Sequence, residues 1–218
     1  GGLDVPLVMG SKSTLMRNQL GGIEGRKLEK GDSIGFVSPK TTLPNMEMRK
    51  FEPEVFPKKE LTLRVVTGPQ DTDFTEEELR RFFWYGAEIT NEFDRMGCRL
   101  EGPFIAPKKT SDIISDGIAF GAIQVPSHGK PIILLADRQT TGGYGKIATV
   151  ASVDIPKLVQ RKTDDKIHFK AITVQEAQAL YVEEMKELDG LRKIIHQPCK
   201  EVLDCRLVAK RLRKLFEE

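Results

Sequence analysis

The stretch IILLADRQTTGGYGKI, residues 132–147, decides how the rest of the chain is read. It opens on a continuous apolar run, Ile132-Ile133-Leu134-Leu135-Ala136, which fits a strand buried on both faces; a buried helical segment has the same periodicity. Asp137, Arg138, Gln139, Thr140 and Thr141 then set a carboxylate, a guanidinium, an amide and two hydroxyls in consecutive positions. Gly142, Gly143, Tyr144 and Gly145 close the stretch. Paired glycines permit positive φ and close backbone approach. A polar cluster at the end of a buried strand is how a rigid scaffold presents functional groups. A surface turn tied by an Asp137–Arg138 pair is the plainer alternative.

On the N-terminal side, residues 119–125 form a second apolar run with Gln124 near its end. The segment from Pro126 to Pro131 turns back into the opening strand, so the two runs are expected to pair as a β-hairpin. His128 in that turn is expected to be solvated. Ser115-Asp116-Gly117 reads as a turn ahead of it. On the C-terminal side, residues 147–153 are again β-rich, and Ile167, Phe169 and Ala171 alternate with His168 and Lys170. Leu61, Leu63 and Val65 alternate in an earlier strand that ends at Gly68-Pro69-Gln70. Gly31-Asp32 reads as a turn feeding a further strand, with Ile34 and Phe36 pointing inward.

Two capping boxes mark helix starts, Thr75-Glu76-Glu77-Glu78 and Thr173-Val174-Gln175-Glu176. The first precedes Leu79, Phe82 and Phe83, an apolar face that Trp84 and Tyr85 extend, read as a helix packed on a sheet. The second opens a helix with Ala177, Tyr181, Met185 and Leu188 on one face, ending near His196-Gln197-Pro198. A last amphipathic helix follows, with Cys205, Val208, Leu212 and Leu215 opposite a basic face. The prolines at 39, 44, 53 and 57 mark a linker. The expected division is an N-terminal subdomain with linker over 1–58, a barrel over 59–172 and C-terminal helices over 173–218. Strands outnumbering helices, with glycine turns between them, indicate a mainly β, α+β architecture of barrel or sandwich type.

Composition narrows the function classes. The 218 residues carry 34 Lys+Arg against 32 Asp+Glu, a net +2, which argues against nucleic acid as the partner. No apolar run reaches the ~18 residues of a membrane span. The three cysteines, Cys98, Cys199 and Cys205, suit reduced thiols in a cytoplasmic protein. His196, Cys199 and Cys205 lack the fourth ligand and spacing of a zinc site, so no metal is expected. Cys98 is read as a packed thiol. Gly10-Ser11-Lys12-Ser13-Thr14 lacks the spacing of a phosphate loop. Arg95 and Arg99, four residues apart, can clamp an anion or pair with neighbouring acids.

Four blocks in order carry a resemblance: GGLDVPLVMGSKSTLMRNQLGG from Gly1, RVVTGPQ from Arg64, DRMGCRLEGP from Asp94, and residues 115–160 around DRQTTGGY. Together they resemble the KipA family, that of the 5-oxoprolinase C subunit, also called allophanate hydrolase subunit 2 or the biotin-dependent carboxyltransferase family. Members of that family carry about a hundred residues before GGLDVP, so the resemblance reads this chain as a C-terminal fragment.

The resemblance implies a cyclophilin-like β-barrel with a smaller N-terminal subdomain. It implies a subunit of an ATP-dependent 5-oxoprolinase opening 5-oxoproline to glutamate, with a KipI-like partner and a LamB/YcsF-type subunit. ATP would then act at the level of the complex, and the isolated chain would be inactive. Two alternatives stay open: the carboxyltransferase module of a biotin-dependent, urea amidolyase-like enzyme, and a KipA-type regulatory protein that sequesters a KipI-like kinase inhibitor. Developing anionic oxygen needs fixed donors. The expected catalytic set is Asp137, Arg138, Thr140 and Thr141. The expected substrate-binding set is Arg99, Asp116, Gln124, Gln139, Gly142, Gly143 and Tyr144. In it Arg99 clamps a carboxylate, and Asp137 orients Arg138 or acts as a base.

Overall fold

A computed structural model describes residues 2–37, 59–108 and 112–197 together with Arg213. The chain divides into two compact units, one formed by Gly1–Glu52 with Ile194–Glu218 and the other by Pro53–Lys193. The described strands, all in the second unit, are β1 (Glu60–Thr67), β2 (Ala87–Phe93), β3 (Gly97–Glu101), β4 (Asp112–Gly117), β5 (Ala122–Gln124), β6 (Ile132–Leu134), β7 (Thr141–Tyr144), β8 (Lys146–Val150) and β9 (Lys166–Ala171). The helices are α1 (Glu76–Tyr85), α2 (Ile155–Leu158) and α3 (Val174–His196). The final helix expected from the sequence, with Cys199 and Cys205, lies outside the described residues apart from Arg213.

Seven strands close into a barrel in the order β1-β8-β5-β6-β3-β2-β9. Only β9 against β1 is parallel; the other described pairs of the barrel are antiparallel. Alternation explains the closure. Leu63, Val65, Ile133, Ile147 and Ile167 are fully or almost fully buried, and each side chain so placed stabilises the fold by about 1.5–3 kcal/mol. The expected mainly β, cyclophilin-like α+β class is what the barrel and its flanking helices display. The hairpin reading holds: Ile123 pairs with Ile133 and Gln124 with Ile132. His128 is exposed, as expected for that turn.

The capping boxes differ in outcome. Thr173 and Glu176 exchange both bonds, Thr173 N to Oε2 at 2.7 Å and Glu176 N to Oγ1 at 3.2 Å. At α1 the Thr75 hydroxyl accepts from Glu78 N at 3.2 Å, but Glu78 Oε2 accepts instead from Ala106 N. Gly86 ends α1 with φ +65°, where a side chain would be strained. Phe82 stacks on Phe169 at 4.2 Å between centroids.

Four expectations are corrected. The segment read as the turn Ser115-Asp116-Gly117 belongs to β4, which pairs with β7 as a separate two-stranded sheet. β4 and β7 therefore stand outside the barrel strands, and the loop after β6 contains a strand. The reason is local: Gly142 and Gly143 lack side chains, so β7 can lie against Ile118 and Ile113. Trp84 and Tyr85 are exposed, because only one face of α1 meets the barrel. Ile34 and Phe36 form no strand beyond a single bridge from Leu3 to Phe36. The preceding turn is instead tied by the Arg26 fork on Asp32, at 2.9 and 2.8 Å, with Glu29 N on the same carboxylate. Those bonds bring the Asp32 carboxyl down to about 2.

Away from the candidate residues, Asp154 is buried and bonds the Arg64 side chain by Nε at 2.9 Å and Nη2 at 2.5 Å, with Arg64 N on the same Oδ2. This fixes the turn after β8 to β1, and breaking a buried pair by removing one partner is strongly destabilising.

Candidate functional site

Strand register sets four side chains in a row on the outside of the barrel. Arg99 lies opposite Ile132, Ile132 opposite Gln124, and Gln124 opposite Lys146. Neighbouring strands are about 4.8 Å apart, which puts Arg99 roughly 10 Å from Gln124 at the backbone. Their immediate neighbours in sequence, Cys98, Ile123, Ile133 and Ile147, turn the other way and fill the core.

A cleft of about 540 Å³ opens over the Arg99, Ile132 and Gln124 part of this row. Its lining includes Asn91, Glu92 and Phe93 of β2, Arg99 of β3, Ile132 and Leu134 of β6, and Gln124, Gln139 and Tyr144. Four of the expected binding residues, Arg99, Gln124, Gln139 and Tyr144, thus meet in one place. Gly142 lies beside them: a methyl group there would sit 3.4 Å from Gln124 Nε2, 3.6 Å from Gln139 Nε2 and 2.7 Å from Ile118 Cδ1.

Gln124 is only 2% exposed. Its Nε2 donates to the Tyr144 carbonyl at 3.3 Å, which fixes the amide's orientation, since a carbonyl can only accept. Arg99 is half exposed and pairs with Glu92 at 2.7 Å. Asp94 turns inward on its own loop, accepting from Met96 N and Gly97 N at 2.8 and 3.1 Å.

At the far end of the row Lys146, 3% exposed, donates to Asp116 Oδ2 at 2.8 Å and to the Gly117 carbonyl at 3.2 Å. Gln70 bridges the same groups, accepting from Lys146 N and donating to Asp116. Lys146 first, then Gly117 N, hold the Asp116 carboxyl below the usual aspartate range. Asp116 therefore ties β4 to the barrel and does not line the cleft.

The expected catalytic set is arranged otherwise. Asp137 does not pair with Arg138; its carboxylate takes the Arg95 fork at 2.8 and 2.9 Å. Arg138 donates by Nε to the Ile118 carbonyl at 3.1 Å and by Nη1 to the Leu135 carbonyl at 3.3 Å, with its guanidinium 5.6 Å from the Phe120 ring centre. Thr140 and Thr141 are exposed at the start of β7, where the Thr140 carbonyl accepts from Ile118 N. Gly143 lies in β7 against the Ile113 carbonyl. None of these lines the cleft. Lys146, Glu92 and Gln70 were missed. Only register reveals Lys146, because a lysine at a strand start otherwise reads as a solvated end.

Cys98 is fully buried, and burial pushes its thiol up to about 12. No cluster of metal-ligating side chains occurs among the described residues. No described helix is long and apolar enough to cross a membrane.

Residues 1–171 match the carboxyltransferase domain, subdomain A and B. The chain is 35% identical over 199 residues to the 5-oxoprolinase C subunit of Haemophilus influenzae and 32% identical over 196 residues to that of Escherichia coli. Each alignment covers 90% of this chain and 62% of the relative, so the chain spans less than two thirds of their length. The crystal structure of the K. lactis urea amidolyase superposes with a TM-score of 0.76 at 27% identity, over 87% of this chain and 13% of that one. With its barrel, its ordered sequence blocks and a domain match over most of its length, the chain belongs to the carboxyltransferase family that includes the 5-oxoprolinase C subunits.

Proposed function

We propose that the outer cleft receives a small planar amide or urea as the acceptor site of a carboxyltransferase module, in an enzyme of the urea amidolyase type. One observation carries this reading: the amide of Gln124, a residue only 2% exposed and oriented by the Tyr144 carbonyl, lines the cleft beside Arg99, Gln139 and Tyr144. An amide oxygen takes the N–H of a bound amide, and the remaining N–H of Nε2 serves that ligand's carbonyl. Arg99, the Gln139 amide and the Tyr144 hydroxyl supply donors for oxygen that becomes anionic as the amide nitrogen reacts. Asp137, Arg138, Thr140 and Thr141 frame the loop that carries Gln139, and Asp116 anchors β4. The domain match and the urea amidolyase superposition support the same class.

The amide oxygen of Gln124 also suits the N–H of biotin's ureido ring, with Phe93, Met96, Ile132 and Leu134 as the apolar wall. When bound in its carboxylated form, biotin supplies the carboxyl group. ATP belongs to another part of the complex in this reading. The first turns of α1 and α3 carry Glu76, Glu77, Glu78 and Glu176, which repel phosphate.

A second reading has its own support, the 35% identity to a 5-oxoprolinase C subunit. There the cleft holds 5-oxoproline, and the enzyme is completed by two further proteins, one KipI-like and one of LamB/YcsF type. The complete protein with its companion subunits or domains separates the two. Biotin- and ATP-dependent fixation of bicarbonate onto urea, abolished by Gln124→Leu in a folded protein, is the expected result. Turnover of 5-oxoproline without urea carboxylation transfers the assignment to the second reading. Activity unchanged by Gln124→Leu overturns the cleft as the site.

A further inference from the structure

Helix α3 has 23 residues and buries none of them. Its inner edge is set by Ala177, Leu180 and Glu184, which are half-buried, and the Glu184 charge acts on Arg64 of β1. Beside that edge runs an apolar stripe. Val174, Tyr181 and Leu188 recur at seven-residue intervals, with Met185 and Leu191 flanking them. These five side chains are each between 38% and 51% exposed, so the barrel does not cover them. A seven-residue apolar repeat is the pattern by which one helix packs along another. The stripe also lies past residues 1–171, so the carboxyltransferase match assigns it no role.

Charge selects the partner helix. Residues 174–185 carry Glu176, Glu183 and Glu184 and no basic side chain. Residues 186–193 carry Lys186, Arg192 and Lys193 against Glu187 and Asp189, a net +1. Two parallel copies would set acid against acid. Antiparallel copies set Arg192 and Lys193 of each against Glu176 and Glu183 of the other, while the apolar stripes still meet. Lys193 reaches Asp189 at 2.6 Å one turn back, an exposed pair that a facing carboxylate can share. A two-fold axis between Met185 and Leu188 then makes the surface complementary to itself, as a closed dimer requires. At about 1.5 Å per residue the helix is roughly 35 Å long, enough for about three heptads and a modest interface.

We propose that α3 is the docking face for a second copy of this chain, the two helices packing antiparallel along Val174, Tyr181, Met185, Leu188 and Leu191. Sedimentation equilibrium of the whole chain over about 1–100 μM tests it, with a monomer–dimer equilibrium of Kd about 10 μM expected. Leu188→Glu, at an exposed position, should keep Tm within about 2 °C and abolish the dimer over that range. Lys193→Glu should weaken the dimer about fivefold, because it sets acid against acid, and adding Glu183→Lys to the same chain should restore most of the loss. A chain that stays monomeric at every concentration overturns the proposal and leaves the face to its own C-terminal residues or to a companion subunit. A dimer that survives Leu188→Glu in a folded chain places the interface elsewhere and overturns it too. A dimer lost in Leu188→Glu but indifferent to both charge exchanges overturns the antiparallel arrangement.

Discussion

Arg95 and Asp137 meet as a two-pronged ion pair, Nε to Oδ2 at 2.8 Å and Nη2 to Oδ1 at 2.9 Å, joining the β2–β3 turn to the loop that follows β6. The Asp137 amide donates to the Arg95 carbonyl as well. Arg95, against the opposing effect of desolvation, keeps the Asp137 carboxyl below the usual aspartate range. A carboxylate so held is a poor proton acceptor and a good anchor.

The pH dependence follows from that direction. A depressed folded-state value means that the pair contributes stability above the ordinary aspartate value and loses it as pH falls through the folded one. Asp137→Asn should therefore lower Tm most above about pH 5, and the difference from the unmodified chain should close toward about pH 2. Because Arg95 is well exposed, high salt should shrink the difference too. Equal Tm at neutral pH and low salt would remove the anchoring role.

Sequence alone carried the barrel further than the site. Leu63, Val65, Ile133, Ile147, Ile167 and Phe169 were legible because alternation and apolar runs report burial directly. Arg99, Gln124, Gln139 and Tyr144 were named from motif and polarity, and strand register then brought them together. The pairing of Asp137 was not legible. Its partner lies 42 residues upstream, and adjacency to Arg138 suggested a contact that the loop does not make. Lys146 was missed for the same reason: its partner Asp116 sits on a different sheet, 30 residues away. Long-range ion pairs depend on topology, which local pattern does not encode.

Lys146 and Asp116 give an asymmetric prediction. The ammonium is buried while the carboxylate is half exposed. Asp116→Ala leaves a buried charge without its counter-ion, whereas Lys146→Met keeps the buried stem and removes the charge. Thermal unfolding should show the larger drop in Tm for Asp116→Ala, with the double variant more stable than Asp116→Ala alone. A double variant less stable than both singles would mean that the pair is not the seam between β4 and the barrel.

Cys98 should be inert in the folded chain. Its side chain has no exposure, and desolvation holds the thiol near 12, far above the range in which thiolates form. Iodoacetamide at about pH 8 should leave the Cys98 peptide unmodified by mass spectrometry and label it fully after denaturation. Rapid native labelling would show that β3 opens locally, since the thiol faces the core between Gly97 and Arg99.

Arg138 offers the clearest separation of structure from chemistry. Its guanidinium donates to the Ile118 and Leu135 carbonyls and lies over the Phe120 ring. Those contacts hold the end of β6 to the approach to β5, beneath the loop that bears Gln139. A lysine keeps the charge but has no planar fork to reach two carbonyls or to stack. Arg138→Lys should therefore lower Tm, while turnover of the complete enzyme, measured below the new melting point, stays within about threefold of the unmodified enzyme. A donor acting on the reacting atoms behaves in the opposite way, costing about 10²–10³ in kcat with little change in Tm. Measuring both quantities on one preparation distinguishes the two, and a loss of that size at unchanged Tm would return Arg138 to the reacting centre.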